Sequence, residues 1–313
     1  VGKTIVLAFG GNAIIKPKER GTFPEQMANI QAASGYLVGL IKAGHRLVIT
    51  HGNGPQVGNL LLKNDLTKDV VPPMPLDVCV SNTQGSLGYG IQQSLGNALR
   101  QSGIDLPVVS VVTQVVVDPA DPAFQHPTKP IGPFYTREEA ERLQREKGYS
   151  VREDSGRGWR RVVPSPTPVE IVERVGIRAL LAAGCIVIAS GGGGVPVVRG
   201  RDGNLEGIAA VIDKDVAGRR LASDVGADVF MMLTEVPGVA LDFGKPTQRY
   251  LPTLTAADAR RYLAEGQFPP GSMGPKMEAA CQFVEGGGER AVIVSLESAL
   301  GGLDGTAGTT IVA

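Results

Sequence analysis

Thr4-Ile5-Val6-Leu7-Ala8-Phe9-Gly10-Gly11-Asn12 decides the fold. The run 4–9 lacks the polar alternation of a half-solvated strand, so it reads as a strand buried on both faces and ended at once by glycine. Comparable runs recur at 46–50, 107–112, 185–189, 229–233 and 291–294, most of them rich in Val, Ile and Leu. Longer amphipathic stretches separate them, at 25–43, 84–102, 168–183, 213–226 and 275–286. This alternation predicts an α/β fold, with a mainly parallel open sheet covered by helices on both faces. Glycine clusters follow three of the strands: Gly10-Gly11-Asn12, Gly52-Asn53-Gly54 and Gly191 to Gly194. Ligands of open α/β sheets bind beyond the carboxyl ends of the strands, so the three clusters are expected to converge on one crevice.

At 313 residues the chain exceeds a typical single core, which predicts one large domain with an insertion, or two lobes. Lys+Arg and Asp+Glu are each 31, so no long-range field draws the chain to nucleic acid or to an anionic membrane. No apolar run reaches the ~18–20 residues of a bilayer span, and the N-terminus enters a strand at once; a cytoplasmic protein is expected. Cys79, Cys185 and Cys281 are far apart and read as reduced thiols, and the three histidines form no ligand cluster. The stretch 118–168 breaks the pattern, with eight of the 22 prolines and the only tryptophan, Trp159. It reads as a small protruding subdomain inserted between core elements, with a helix starting near Thr136 and a capping box closed by Glu139.

No conventional nucleotide signature is present. Gly238 to Lys245 has one residue too many for a P-loop and ends on Pro246, where a hydroxyl belongs. Gly52 to Gly58 imitates the dinucleotide fingerprint, but its last spacing is too long and Pro55 lies inside the turn. Two lysines suggest another kind of phosphate site: Lys214 in Val-Ile-Asp-Lys-Asp (211–215) and Lys276 in Gly-Ser-Met-Gly-Pro-Lys (271–276). Fixed cations and backbone N–H groups are what a transferring phosphoryl group needs, more than a base. Each signal has a plainer reading. The glycine clusters could be tight turns, Lys214 an exposed helix-start ion pair with Asp213 or Asp215, and Lys276 ordinary sequence after a proline at a helix start. Alternatively Asp213 orients lysines or a magnesium ion. Lys129, in His126-Pro127-Thr128-Lys129-Pro130-Ile131-Gly132-Pro133, is a loop lysine by composition, and His51 is either a general base or a loop-orienting residue.

Taken together, Ala8 to Ala13, His51 to Gly58, Pro127 to Tyr135, Arg160 to Pro168, Ala210 to Asp215 and Gly271 to Lys276 resemble the carbamate kinases, within the amino-acid kinase superfamily, over essentially the whole chain. The resemblance implies a three-layer αβα fold, a homodimer, and lobes of roughly 1–210 on the acceptor side and 211–313 on the nucleotide side. It implies Mg²⁺-dependent phosphoryl transfer between ATP and carbamate, giving ADP and carbamoyl phosphate. By the same resemblance Lys129 contacts carbamate and the transferring group, Lys214 and Lys276 bind the nucleotide phosphates, and Asp213 holds the lysines in place, with no residue implied as a metal ligand. Gly10, Gly11, Asn12, Gly52, Asn53, Gly191, Gly192 and Gly193 line the substrate region. Thr234, Glu235, Val236, Ala240, Met273 and Gly274 carry the nucleoside end. Ala240 departs from the aromatic residue usual in relatives, at an expected cost of roughly 0.5–1.5 kcal/mol of stacking. The competing readings are a same-fold kinase of another small carboxylate or phosphonate, and a catalytically silent nucleotide-binding regulator.

Overall fold

The computed structural model describes residues 2–10, 14–16, 19–154, 156, 158–269 and 272–313. Its main sheet has eight strands, in the order β15 (Thr253–Thr255), β17 (Thr309–Val312), β16 (Arg290–Ser295), β12 (Val229–Thr234), β1 (Thr4–Phe9), β2 (Arg46–His51), β9 (Ile186–Ile188) and β3 (Val108–Ser110). All neighbours are parallel except β16 and β17, so β15 and β17 run opposite to the rest. The sheet is therefore mixed and mostly parallel.

The absence of polar alternation in the central strands has a direct cause. Val6 and Ala8 of β1 face one core, together with Val48, Phe230, Met232 and Ile293; helices α5 (Arg174–Ala182), α6 (Lys214–Val225), α7 (Ala256–Ala264) and α8 (Met273–Glu285) close it. Ile5, Leu7 and Phe9 face the other core with Leu47, Ile49, Met231 and Val292, under α1 (Phe23–Lys42), α3 (Leu76–Gln101) and α9 (Ala299–Leu303). Both faces are dry, each buried large side chain contributing on the order of 1.5–3 kcal/mol. The three-layer α/β expectation is met.

A second, four-stranded sheet runs β11 (Leu205–Gly207), β10 (Val195–Arg199), β4 (Gln114–Val117) and β8 (Pro168–Ile171). Between β4 and β8 the chain builds a third, antiparallel sheet of β5 (Lys129–Tyr135), β7 (Trp159–Val163) and β6 (Val151–Glu153), with α4 (Arg137–Lys147) beside it. The Thr136–Glu139 capping box is formed as expected, and Gly148 ends α4 in the left-handed region. Strands β13 (Ala240–Leu241) and β14 (Arg249–Tyr250) form a small hairpin. A compact apolar cluster ties the inserted sheet down: Ile131 and Val163 pack with Val57 of α2 (Gly54–Thr67) and Val80 of α3.

Three expectations need correction. The stretch 168–183 is not one helix, because Pro168 to Ile171 pairs antiparallel with β4 before α5 starts; a proline is tolerated at the first position of a strand. The helix expected from residue 84 already begins at Leu76, after Pro75. Pro55 lies in the first turn of α2 rather than within a loop turn, the position that a missing N–H suits.

Candidate active site

The carboxyl ends of β2 and β9 bring two of the three glycine clusters together. Gly11 and Asn12 lie outside the described residues, and Gly10 sits against β12, where a Cβ would stand 3.2 Å from the Leu233 carbonyl oxygen. The other two clusters touch: a Cβ on Gly192 would lie 2.2 Å from Asn53 Nδ2, and one on Gly193 2.3 Å from the Ile212 carbonyl oxygen. Gly192, Gly193 and Gly194 all have positive φ, so both the conformation and the space demand glycine. The turns are therefore close backbone approaches around one cleft.

Two residues of α3 that the sequence reading passed over hold these turns. Asn53 Nδ2 donates to Thr83 Oγ1 at 2.9 Å; Gln84 Nε2 donates to the carbonyls of Gly191 at 3.0 Å and Thr113 at 3.1 Å, while its Oε1 accepts from Thr113 N. His51 is buried, and burial pushes its imidazole down to about 4. Its Nδ1 lies 3.0 Å from the Gly52 carbonyl and Nε2 faces Gly191. A neutral ring bonded to its own loop orients that loop; it is not placed as a base.

One cavity of about 220 Å³ opens here, lined by Gly52, Asn53, Gly54, Lys129, Arg160, Gly192 and Lys214. Helix α2 starts at its wall without a side-chain cap, so first-turn N–H groups and the positive end of the helix dipole remain for an anion. A second cavity, of about 230 Å³, lies beyond β12 and the start of α8, lined by Thr234, Glu235, Val236, Ala240, Phe243, Phe268, Met273 and Lys276. It is the more apolar of the two in character, and Phe243 and Phe268 supply its aromatic surface where Ala240 supplies none.

Five charged groups connect the cavities. Lys129 Nζ donates to Asp213 Oδ2 at 2.5 Å, while Asp213 Oδ1 caps α6 through the amide of Asp215 at 2.9 Å. Lys214 Nζ and Lys276 Nζ both reach Asp215, each at 2.9 Å. The shared tie between Lys214 and Lys276 is thus Asp215, not Asp213, whose direct lysine contact is Lys129. Lys214 is no exposed helix-start pair: Lys214, Lys276 and Asp215 side chains are 16%, 11% and 7% exposed.

Burial alone would raise both carboxyls, but the lysines outweigh it and hold Asp213 and Asp215 below the usual carboxylate range. Burial also opposes the charge on Lys214, yet Asp215 and Asp213 shift it upward. Lys276 is pushed down to about 8, chiefly by burial, with the like charge of Lys214 adding and Asp215 opposing. A polyphosphate beside Lys276 favours its ammonium form. If Lys276 meets nucleotide phosphates, as the resemblance implies, binding is expected to take up a fraction of a proton at pH 8–9 and almost none at pH 6.5, where Lys276 is already charged. Titration calorimetry of ADP in two buffers of different ionisation enthalpy measures this; equal heats at pH 8.5 would remove Lys276 from the phosphate site.

Comparison with known proteins identifies the family. The model of the amino acid kinase family matches residues 3–295. The carbamate kinase of Thermococcus kodakarensis is 52% identical over 313 residues, 99% of each chain, and that of Pyrococcus furiosus 51% identical over the same share. Among solved structures, carbamate kinase from Giardia lamblia bound to citric acid superposes with a TM-score of 0.95 at 41% identity, covering 100% of this chain and 99% of the other. The same enzyme bound to AMP-PNP gives 0.91 at 42%, with equal coverage. The chain belongs to the amino acid kinase family and, within it, to the carbamate kinases.

Proposed function

We propose that the chain catalyses reversible phosphoryl transfer between ATP and carbamate, forming ADP and carbamoyl phosphate. The observation that carries this reading is the continuous charge array from Lys129 in the first cavity, through Asp213, Lys214 and Asp215, to Lys276 in the second. The array joins an acceptor pocket to a nucleotide pocket. Three ammonium groups against two carboxylates leave one net positive charge where phosphate charge would gather.

In this assignment carbamate lies in the first cavity against Gly52, Asn53 and the start of α2, with Gly10 and Gly191 to Gly193 beside it. Gly11 and Asn12 are assigned to the same region from sequence. A carbamate oxygen attacks the γ-phosphorus, the bond from that phosphorus to the ADP oxygen breaks, and the bonding pair leaves on ADP. Carbamate is already an anion, so no base is required; positioning and charge neutralisation supply the rate. Lys129 meets the acceptor side, while Lys214 and Lys276 meet the phosphates as charge builds on the transferring and leaving oxygens. Arg160, on the cavity wall with Nε donating to the Gly132 carbonyl at 3.1 Å, adds a guanidinium that the sequence reading did not assign. The nucleoside lies along Thr234, Glu235, Val236, Ala240, Met273 and Gly274.

A divalent cation accompanies phosphoryl transfer in such kinases, and we take it to be magnesium. Among the described residues no three His, Cys, Asp or Glu side chains gather for a metal ion, and Asp213 and Asp215 already accept from lysines. These residues do not fit a protein-held ion, so magnesium enters with the nucleotide as part of the substrate. Residues 118–168 are assigned as a subdomain over the acceptor pocket, with residues 1–210 as the acceptor lobe and 211–313 as the nucleotide lobe. Self-association as a homodimer is supported by exposed Leu66, Val70, Val71, Met74 and Val78. No described helix is long and apolar enough to cross a membrane, and we assign the chain to the cytoplasm.

The reaction is tested by ATP formation from ADP, Mg²⁺ and carbamoyl phosphate. Turnover is expected, and Lys129→Ala should raise the KM for carbamoyl phosphate or abolish turnover while ADP binding persists. Folded, ADP-binding protein without turnover would move the assignment to another small carboxylate or phosphonate acceptor, or to a regulatory role. Loss of ADP binding in Lys129→Ala would break the two-pocket division.

A further inference from the structure

Helix α2 and strand β5 approach more closely than side chains allow. A Cβ added to Gly58 would lie 1.9 Å from Gly132 N and 2.0 Å from Gly132 Cα, both backbone atoms that cannot swing aside. Gly132 itself has φ +74°, in a part of β5 where the register with β7 shifts between Ile131 and Tyr135. Ile131, next to it, is buried among Val57, Val80 and Val163, so an apolar anchor sits beside the backbone-to-backbone contact that holds the strand on α2. Lys129 stands three residues before Gly132 on the same strand, and its ammonium ends on Asp213. The other end of the relation is equally direct: α2 begins immediately after Gly52 and Asn53, on the wall of the acceptor cavity.

One helix thus both frames the acceptor cavity and seats the strand that delivers its lysine. We propose that Gly58 is a positioning residue for the reaction, its missing side chain setting the distance at which β5 docks and hence the place of Lys129. This rests on the phosphoryl-transfer reading given above. A methyl group at Gly58 needs ordinary contact distance, so β5 must back away by about 1.5 Å, and misplacement of a reacting group by ~1 Å can cost on the order of 10²-fold. Substrate positioned by Lys129 would suffer, whereas the nucleotide cavity, which contains no residue of α2 or β5, would not.

The test is Gly58→Ala, measured for ATP synthesis, for ADP affinity, and for hydrogen–deuterium exchange of peptides covering 129–135. Turnover is expected to fall at least tenfold with ADP affinity within twofold of the parent. Trp159, the only tryptophan and part of β7, should keep its folded emission, showing that the inserted sheet itself is intact. Adding Lys129→Ala to Gly58→Ala should cost less than a further threefold, because the lysine is already out of place. Near-parental turnover, parallel loss of ADP binding, or the full Lys129→Ala loss in the double variant would each overturn the proposal. Should Gly58→Ala fail to fold, Ile131→Ala loosens the same seat without a backbone clash, and unchanged turnover there would overturn it equally. The exchange measurement stands apart from catalysis: faster exchange of 129–135 in Gly58→Ala supports the seat even where the assigned reaction is wrong, and unchanged exchange sinks it even where the reaction is right.

Discussion

Lys276→Ala and Lys214→Ala are each expected to lower kcat by about 10²-fold or more, the scale for removing one charge partner of a developing anion, while the protein still folds. The second half of that expectation follows from the charge count. Lys129, Lys214 and Lys276 face Asp213 and Asp215, so deleting one lysine leaves two ammonium groups on two carboxylates. Asp215 in particular keeps one of its two lysines in either variant. The free protein therefore loses little, and what disappears is the surplus positive charge that meets the phosphates. Lys276→Ala should also weaken ADP binding more than Lys129→Ala does, since Lys276 alone of the three lines the second cavity. Steady-state assay beside circular dichroism decides it. Near-normal turnover from folded protein would remove the lysine from the chemistry, and unfolding of either variant would mean that the array is structural first.

How much of this could be read from the chain varied with how local the cause was. The central strands were legible because each is sandwiched between two cores, which forbids polar alternation over Thr4–Phe9 and Val229–Thr234. The Thr136–Glu139 box was legible because both halves of a cap lie within three residues. Pro168 to Ile171 was not, since a four-residue strand beginning with proline has no pattern of its own and exists through its pairing with β4. Helix α2 was missed for a related reason: Gly54, Pro55 and Gly58 are poor helix formers, and its Val57 is fixed by packing on α3 and the inserted sheet. The same distinction separates the site residues. Lys214 and Lys276 carried motif signals, but Asp215 shares a carboxylate between a neighbour and a lysine 61 positions away, a partnership only the fold creates. Thr83 and Gln84 gave no signal at all within a long helix.

Asp215→Ala should have the largest effect on stability. It leaves Lys214 and Lys276 buried together without their common carboxylate, three ammonium groups against Asp213 alone. Breaking a buried pair from one side typically costs about 3–5 kcal/mol, because the remaining charge stays in low dielectric. A loss of that size corresponds to a fall in Tm of roughly 5–8 °C for a chain of this length. Turnover should fall with it, since burial without Asp215 drives both lysines toward their neutral forms and removes their fixed positions. The decisive comparison is the double variant. Asp215→Ala/Lys276→Ala restores the balance to two lysines and one aspartate and relieves the repulsion between the two ammonium groups, so it should melt higher than Asp215→Ala although it lacks one more side chain. Coupling of this sign is what contact between charges produces, whereas independent packing losses would add. A double variant that melts lower than the single one would show that Asp215 supports α6 and α8 by some route other than neutralising the lysines.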